Sequence, residues 1–180
     1  MPEARRIVIF GTESTGKTTL AQRLAAHFGE PWAPEFVREF WDLRGGKIGA
    51  EDLGSIALGQ MANEDLAISR ARCVVFFDTD LLTCTLWNDT LYPGACPPWV
   101  RVEAQERARG HTLYLLCDTD VPFAPDPQRC FPDPESRERA RTLWREALVS
   151  RGRPFVEIRG GWPERERAAI AAVERVLATS

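Results

Sequence analysis

The chain has 180 residues, of which 44% are hydrophobic and 27% are charged, and its net charge is -3. This length and composition predict one soluble globular domain, residues 1–180, and exclude the disordered and collagen-like classes. The pI is near 5.5. Without a basic stripe the sequence does not predict nucleic acid as a partner.

The sequence shows no targeting signal and no cysteine pattern of a zinc site. No apolar run approaches the roughly 20 residues that a membrane span needs, and the first residues do not resemble a signal peptide. The five cysteines lack the spacing of a zinc site or of a full disulfide set. The sequence therefore predicts a cytoplasmic protein without a membrane partner, and it leaves the oligomeric state open.

Apolar runs alternate with segments of helical periodicity along the chain. Strands are predicted at residues 7–10, 73–77, 113–117 and 154–158. Helices are predicted at residues 17–28, 35–43, 51–70, 81–87 and 163–177. This alternation predicts an α/β three-layer fold with a mostly parallel central sheet.

The carboxyl ends of the predicted strands mark the expected ligand-binding edge of the sheet. Gly11, Asp78 and Asp118 each follow one of these strands. A proline-rich stretch beyond the third strand predicts a long exposed loop, and we expect a lid-like loop over about residues 122–141.

The first predicted strand ends in GTESTGKT, which matches G-x-x-x-x-G-K-[ST] at every fixed position. Glycines let successive N–H groups turn toward a phosphate, and the following helix adds free N–H groups and its positive dipole end. We expect Lys17 to reach the β- and γ-phosphates of ATP and Thr18 to ligate Mg²⁺. The residues predicted to bind the nucleotide are Gly11, Thr12, Glu13, Ser14, Thr15, Gly16, Lys17, Thr18 and Thr19. The sequence thus predicts a P-loop NTPase fold.

One residue of this loop does not fit a phosphate site on its own. A carboxylate at Glu13 would repel a polyphosphate chain unless its side chain points away from it.

Two aspartates follow the second predicted strand. Asp78 is expected to hold Mg²⁺, directly or through water, or to act in catalysis, as a Walker B carboxylate does. Asp80 is assigned to the acceptor substrate, and the alternative is that it caps the next helix.

Polar residues on two predicted helices are candidates for binding the acceptor. Glu35, Arg38 and Glu39 have the spacing of one helix face. A carboxylate there could bind the acceptor and take its proton, and an ion pair on a solvated surface is the alternative. Gln60 and Glu64 interrupt an apolar stripe, either to meet a polar substrate or because they lie at the helix edge.

Arginines and tryptophans add further candidates. Arg129, within the proline-rich loop, is expected to close over the phosphates and neutralise charge. The three arginines that follow it are expected to solvate a helix face. Four tryptophans near these segments could stack on a base, and core packing is the alternative. They are Trp32, Trp41, Trp87 and Trp99.

Together these residues resemble the nicotinamide riboside kinase domain of the NadR family. The resemblance covers most of the chain and rests on GTESTGKTTL, on EFVRE from Glu35, on Gln60, on FDTD ending at Asp80 and on LLCDTDVP. It implies an ATP- and Mg²⁺-dependent kinase that phosphorylates the 5′-hydroxyl of the nucleoside nicotinamide riboside, giving nicotinamide mononucleotide. The glutamate inside the loop is typical of that family.

The resemblance also implies roles for particular residues. It supports Arg129 as the lid arginine, and it places Gly161 and Arg165 near the adenine. One departure concerns the lid, because relatives have Asp-Gly where this chain has Asp126-Pro127. Proline cannot adopt the backbone angles that glycine can, so the lid is expected to differ in shape.

Three functions stay open from the sequence alone. The first is the nicotinamide riboside kinase, with either Glu35 or Asp78 as the catalytic base. The second is a P-loop kinase for another nucleoside or small metabolite. The third is an ATP-binding switch in which the nucleotide orders the proline-rich loop for a protein partner.

Overall fold

The computed structural model describes residues 3–179, so Met1, Pro2 and Ser180 of the predicted domain lie outside the described residues. The strands in this part of the chain are β1 (Arg5–Phe10), β2 (Trp32–Ala33), β3 (Val74–Asp78), β4 (Leu113–Cys117) and β5 (Phe155–Ile158). Its α-helices are α1 (Lys17–Phe28), α2 (Phe36–Leu43), α3 (Leu53–Arg70), α4 (Leu81–Leu91), α5 (Pro98–Gly110), α6 (Pro134–Val149) and α7 (Trp162–Ala178). A 3₁₀ turn, Ala50–Asp52, precedes α3.

The strands form one sheet in the order β2-β3-β1-β4-β5, and every pairing is parallel. Strands β3 and β4 are buried along their whole length because helices cover both faces of the sheet. Helices α1 and α7 pack on one face, around Ile7 and Leu24. Helices α3 and α6 pack on the other, around Val8 and Trp144. The predicted three-layer α/β fold is confirmed.

The lid region is shorter than the sequence predicted. Helix α6 begins at Pro134, a residue suited to a first helical turn, and Asp133 caps it by accepting a hydrogen bond from Ser136 N at 2.8 Å. Residues 134–141 are therefore helical and do not belong to a loop. We call residues 118–133, between β4 and α6, the lid.

Helix α5 was not predicted, because its sequence is largely polar and only three small or branched side chains, Val100, Ala104 and Ala108, are buried. It packs beside α4 and so forms part of the wall behind the site described below. None of the helices within residues 3–179 combines the length and the apolar character needed to span a membrane.

Candidate active site

The phosphate loop lies between β1 and α1, and its two fixed glycines have backbone angles that other residues rarely adopt. Gly11 has a φ of +138°, and a Cβ there would lie 2.8 Å from the carbonyl oxygen of Cys117. Gly16 has a φ of +80°, and a Cβ there would lie 2.6 Å from the Trp162 ring. Both positions therefore need glycine for space as well as for conformation.

Gly16→Ala is expected to destabilise the protein and to weaken ATP binding. The left-handed backbone costs a non-glycine residue about 1–2 kcal/mol, and the new methyl group must also displace the Trp162 ring. Gly94→Ala is the matched control, because Gly94 has the same φ of +80° with open space around it. Melting temperature and ATP affinity are compared between the two variants and the wild type. Equal ATP affinity in the two would contradict a steric role for Gly16.

Lys17 crosses the phosphate loop, and its Nζ donates to the carbonyl oxygen of Thr12 at 2.7 Å. The first turn of α1 lies wholly within the described residues and holds no acidic side chain and no side-chain cap. Its free N–H groups and the lysine therefore form an anion-binding site at the helix N-terminus. Thr19, which was predicted to join this site, is exposed in the same turn.

Asp78 ends β3 directly beside this loop. Thr18 Oγ1 donates to its Oδ2 at 2.5 Å, whereas its Oδ1 is buried and has no hydrogen-bond partner among the described residues. Burial raises the pKa of Asp78, and the charge of Lys17 and the hydrogen bond from Thr18 act against that rise. A buried carboxylate oxygen without a partner, next to a hydroxyl, fits the oxygen chemistry of Mg²⁺.

A cavity of about 180 Å³ opens next to Lys17. We call it the central cavity. Residues from α2, α3, α4 and the lid surround it, and three of the residues predicted to bind the acceptor line it, namely Glu35, Arg38 and Gln60. Of the four candidate tryptophans, Trp41 and Trp87 line the cavity.

Two predicted acceptor-binding residues lie elsewhere. Asp80 is fully buried and caps α4, with Oδ1 accepting from Thr83 N at 3.0 Å and Oδ2 accepting from Tyr114 Oη at 2.9 Å. The helix-cap alternative is therefore the one that the structure shows. Glu39 is exposed and does not line the cavity. Its spacing from Glu35 misled because Glu35 is the extended N-cap residue of α2 and does not share a helical face with it.

Glu35 is the N-cap residue of α2, and its side chain, which is 14% exposed, lines the central cavity. Burial raises the pKa of its carboxyl, and the negative charge of Asp78 raises it further, while Lys17 and Arg38 oppose the rise. Arg38 Nε lies 3.3 Å from Glu35 Oε2, and its Nη1 lies 3.7 Å from Asp126 Oδ2 of the lid. The site thus holds two neighbouring carboxylates with the lysine close to both.

Gln60 links α3 to the start of α2. Its Oε1 accepts from Phe36 N at 3.0 Å, and its Nε2 donates to Glu64 Oε1 at 3.2 Å. Arg107 of α5 then donates to Glu64 Oε2 at 3.2 Å. The partners that the sequence analysis required for Gln60 and Glu64 are therefore groups of the protein, and they fix the backbone next to Glu35.

Glu64→Gln is expected to stabilise the protein above neutral pH. Burial, and then the charge of Asp80, raises the pKa of Glu64 from 4.5 to about 8. Between these two values the native state binds more protons than the unfolded state, so the free energy of unfolding falls as the pH rises. The variant loses this dependence.

Urea unfolding at about pH 6 and about pH 9 measures the effect. Asp65→Asn is the control, because Asp65 is the exposed second partner of Arg107, at 2.8 Å. An unchanged pH slope in Glu64→Gln would contradict the prediction.

The lid lies over the phosphate loop. Arg129 Nη1 donates to Ser14 Oγ at 3.3 Å and to the Ala124 carbonyl, so the predicted lid arginine does reach the loop. Glu13 points at the lid, where its carboxylate accepts from Phe131 N. This direction removes the repulsion expected between Glu13 and bound phosphates.

Arg165 and Gly161 lie at the start of α7, behind the phosphate loop. The Arg165 side chain is buried, and it donates to the carbonyl oxygens of Gly160 at 2.8 Å, Thr15 at 3.2 Å and Asp118 at 3.0 Å. Arg165 therefore holds the backbone of the phosphate loop in place through its hydrogen bond to Thr15. Its place near an adenine stays a prediction.

Part of the cavity wall was missed in the sequence. Asn88, Leu91 and Tyr92 line the cavity with Cys84 and Trp87. Cys84, Trp87, Asn88 and Leu91 recur at helical spacing on one face of α4, and Tyr92 follows its last residue. The helix predicted at residues 81–87 ended before Asn88, Leu91 and Tyr92. Extending the predicted helix to Leu91 would have identified this cavity-lining face of α4.

The parallel sheet, the phosphate loop and the cavity beside it define a P-loop protein with the fold of the nucleoside and nucleotide kinases. The chain belongs to the AAA_28 family, described as an AAA domain, whose model matches residues 6–165.

Two curated relatives carry the name trifunctional NAD biosynthesis/regulator protein NadR. The protein from Salmonella typhimurium is 30% identical over 159 residues, and the one from Escherichia coli is 31% identical over 158 residues. Each alignment covers 86% of this chain and 38% of the relative. The chain thus spans about two fifths of the length of these relatives.

Solved structures share the fold. A NadR protein in complex with NR superposes with a TM-score of 0.78 at 21% identity, over 98% of this chain and 52% of that chain. A deoxyadenosine kinase from M. mycoides superposes with a TM-score of 0.63 at 13% identity, over 94% of this chain and 99% of that chain. The expected P-loop kinase fold is confirmed by both.

Proposed function

We propose that the chain is an ATP-dependent nucleoside kinase that phosphorylates the 5′-hydroxyl of nicotinamide riboside, giving nicotinamide mononucleotide and ADP. One observation carries the proposal: the phosphate loop borders a cavity that is lined by the loop lysine and by the largely buried carboxylate of Glu35. The two relatives named for NAD biosynthesis support nicotinamide riboside as the acceptor.

ATP binds on the phosphate loop. Backbone N–H groups of the loop and Lys17 hold the phosphates, and the adenine lies near Gly161 and Arg165. Thr18 and Asp78 would hold Mg²⁺, which neutralises phosphate charge when bound. Asp78 Oδ1, which is buried and has no hydrogen-bond partner within residues 3–179, supports this assignment.

The acceptor hydroxyl lies in the central cavity, where Glu35 takes its proton. Glu35 lines the cavity and Asp78, the proposed Mg²⁺ ligand, does not, which favours Glu35 as the base. The hydroxyl oxygen bonds to the γ-phosphorus, the bond from that phosphorus to ADP breaks, and the proton moves to Glu35. Arg129 neutralises charge on the transferred group.

Nicotinamide riboside carries a flat, positively charged ring, and the cavity offers groups that suit it. Trp41, Trp87 and Tyr92 provide aromatic surface, which attracts cations, and the carboxylate of Glu35 provides negative charge. A neutral nucleoside would gain only the stacking part of this attraction.

The purified chain incubated with ATP, Mg²⁺ and nicotinamide riboside should yield the mononucleotide and ADP in equal amounts, measured by mass spectrometry. A panel of other nucleosides, offered in competition, identifies a different acceptor if one is preferred. Absence of phosphorylated product across the whole panel would overturn the proposal. Slow hydrolysis alone, with a protein captured only when nucleotide is bound, would favour the switch.

A further inference from the structure

Contacts between the lid and the phosphate loop converge on two consecutive residues of the loop. Glu13 accepts a hydrogen bond from the backbone N–H of Phe131. Ser14 Oγ accepts from Ala124 N at 2.9 Å, and the same oxygen receives Arg129. The loop therefore holds the lid at both of its halves.

The Glu13 side chain is not needed to hold phosphates. The cradle uses backbone N–H groups, and the motif leaves the residue type at this position free. Yet Glu13 is only 7% exposed, and burial raises the pKa of its carboxyl. A buried carboxylate is costly without hydrogen bonds, and the lid backbone is what supplies them here.

The lid held in this way forms the roof of the central cavity. Glu13, Arg129 and Cys130 line the cavity together, and Lys17 lines it as well. Moving the lid away from Glu13 would open the region around Lys17 to solvent. Water could then reach the position of the γ-phosphoryl group.

We propose that Glu13 is a positioning residue that docks the lid on the phosphate loop, so that the γ-phosphoryl group passes to the acceptor hydroxyl and not to water. The proposal rests on the kinase function proposed above. In the competing reaction a water oxygen bonds to the γ-phosphorus, the bond to ADP breaks, and the water proton goes to Glu35 or to solvent. Its products are ADP and inorganic phosphate.

The test compares Glu13→Ala and Glu13→Gln with wild type. Hydrogen exchange in the lid should rise about tenfold in Glu13→Ala, because the hydrogen bond from Phe131 N to the carboxylate is lost. It should rise less in Glu13→Gln, whose amide oxygen can still accept the Phe131 N–H. Exchange in β4 should stay at the wild-type value and so report an intact fold. The ratio of ADP formed to acceptor phosphorylated should rise above one in both variants, while affinity for a non-hydrolysable ATP analogue should not change.

Glu135→Ala is the matched control, because Glu135 is exposed in the first turn of α6 and forms a surface ion pair with Arg139. It should behave as wild type. Wild-type lid exchange in both Glu13 variants would overturn the docking, and a ratio of one with a mobile lid would overturn the exclusion of water. A wild-type protein that phosphorylates no nucleoside would sink the kinase function, while the exchange data would still decide whether Glu13 docks the lid.

Discussion

Lys17→Ala is expected to lower kcat by about 100- to 1,000-fold, the usual effect of removing one preorganised donor from a transition state. Lys17 is the first residue of α1, lines the central cavity and lies close enough to Asp78 for its charge to oppose the rise in the pKa of that carboxyl. It is the charge closest to the transferred phosphoryl group that the loop itself supplies. Nothing else in the loop can replace its positive charge, because the remaining donors are neutral N–H groups and hydroxyls and the carboxylate of Glu13 points to the lid.

The chain provides a matched control for this experiment, because Lys17 and Lys47 are its two lysines. Lys47 is exposed and does not line the cavity. Lys47→Ala should therefore keep wild-type kcat and wild-type ATP affinity. Steady-state kinetics give kcat for both variants, and binding of an ATP analogue gives their ATP affinity. Unfolding midpoints report whether loss of the hydrogen bond from Lys17 to Thr12 destabilises the protein. Turnover unaffected by Lys17→Ala would remove the basis of the proposed function.

Local sequence signals predicted the phosphate loop and four of the five strands in the described residues, but not β2, which has two residues. Helix α1 and strand β4 have the bounds that the sequence predicted, because glycines at 16 and 29 delimit the helix and polar residues flank the strand. Helix α5 escaped, because a surface helix with a narrow buried stripe differs little from a polar loop in sequence.

The candidate site was harder to predict because its geometry depends on contacts distant in sequence. Spacing grouped Glu39 with Glu35, but the N-cap conformation of Glu35 separates them. Asp80 has the same strand-end position as Asp78, yet a tyrosine from β4 occupies its second oxygen. Arg107 completes the chain of contacts from Gln60 through Glu64 only because α5 packs nearby, which no local pattern indicates.

The two carboxylates near the lysine differ in ways that divide their roles. Asp78, at the end of β3, accepts a hydrogen bond from the Thr18 hydroxyl. Glu35 faces the cavity and pairs with Arg38, which also approaches Asp126 of the lid. Asp78→Asn should therefore raise the Mg²⁺ concentration needed for half-maximal activity. Glu35→Gln should leave that concentration near the wild-type value.

Glu35→Gln is expected to lower kcat by about 100- to 10,000-fold, the range for loss of a general base, with a small change in ATP affinity. In the wild type, kcat should fall as the pH drops through the pKa of Glu35, since a protonated carboxyl cannot accept the hydroxyl proton. Burial and the nearby charge of Asp78 raise that pKa, so the decline begins at a higher pH than for an exposed glutamate. The variant should lose this acidic limb.

Asp42→Asn removes an exposed carboxylate from α2, the helix that Glu35 caps, and serves as the control for charge and helix stability. It should retain both the rate and the acidic limb. The decisive comparison is between Glu35→Gln and Asp78→Asn in the pH profile at saturating Mg²⁺. If the acidic limb survives in Glu35→Gln and disappears in Asp78→Asn, then Asp78 takes the proton and Glu35 only shapes the cavity.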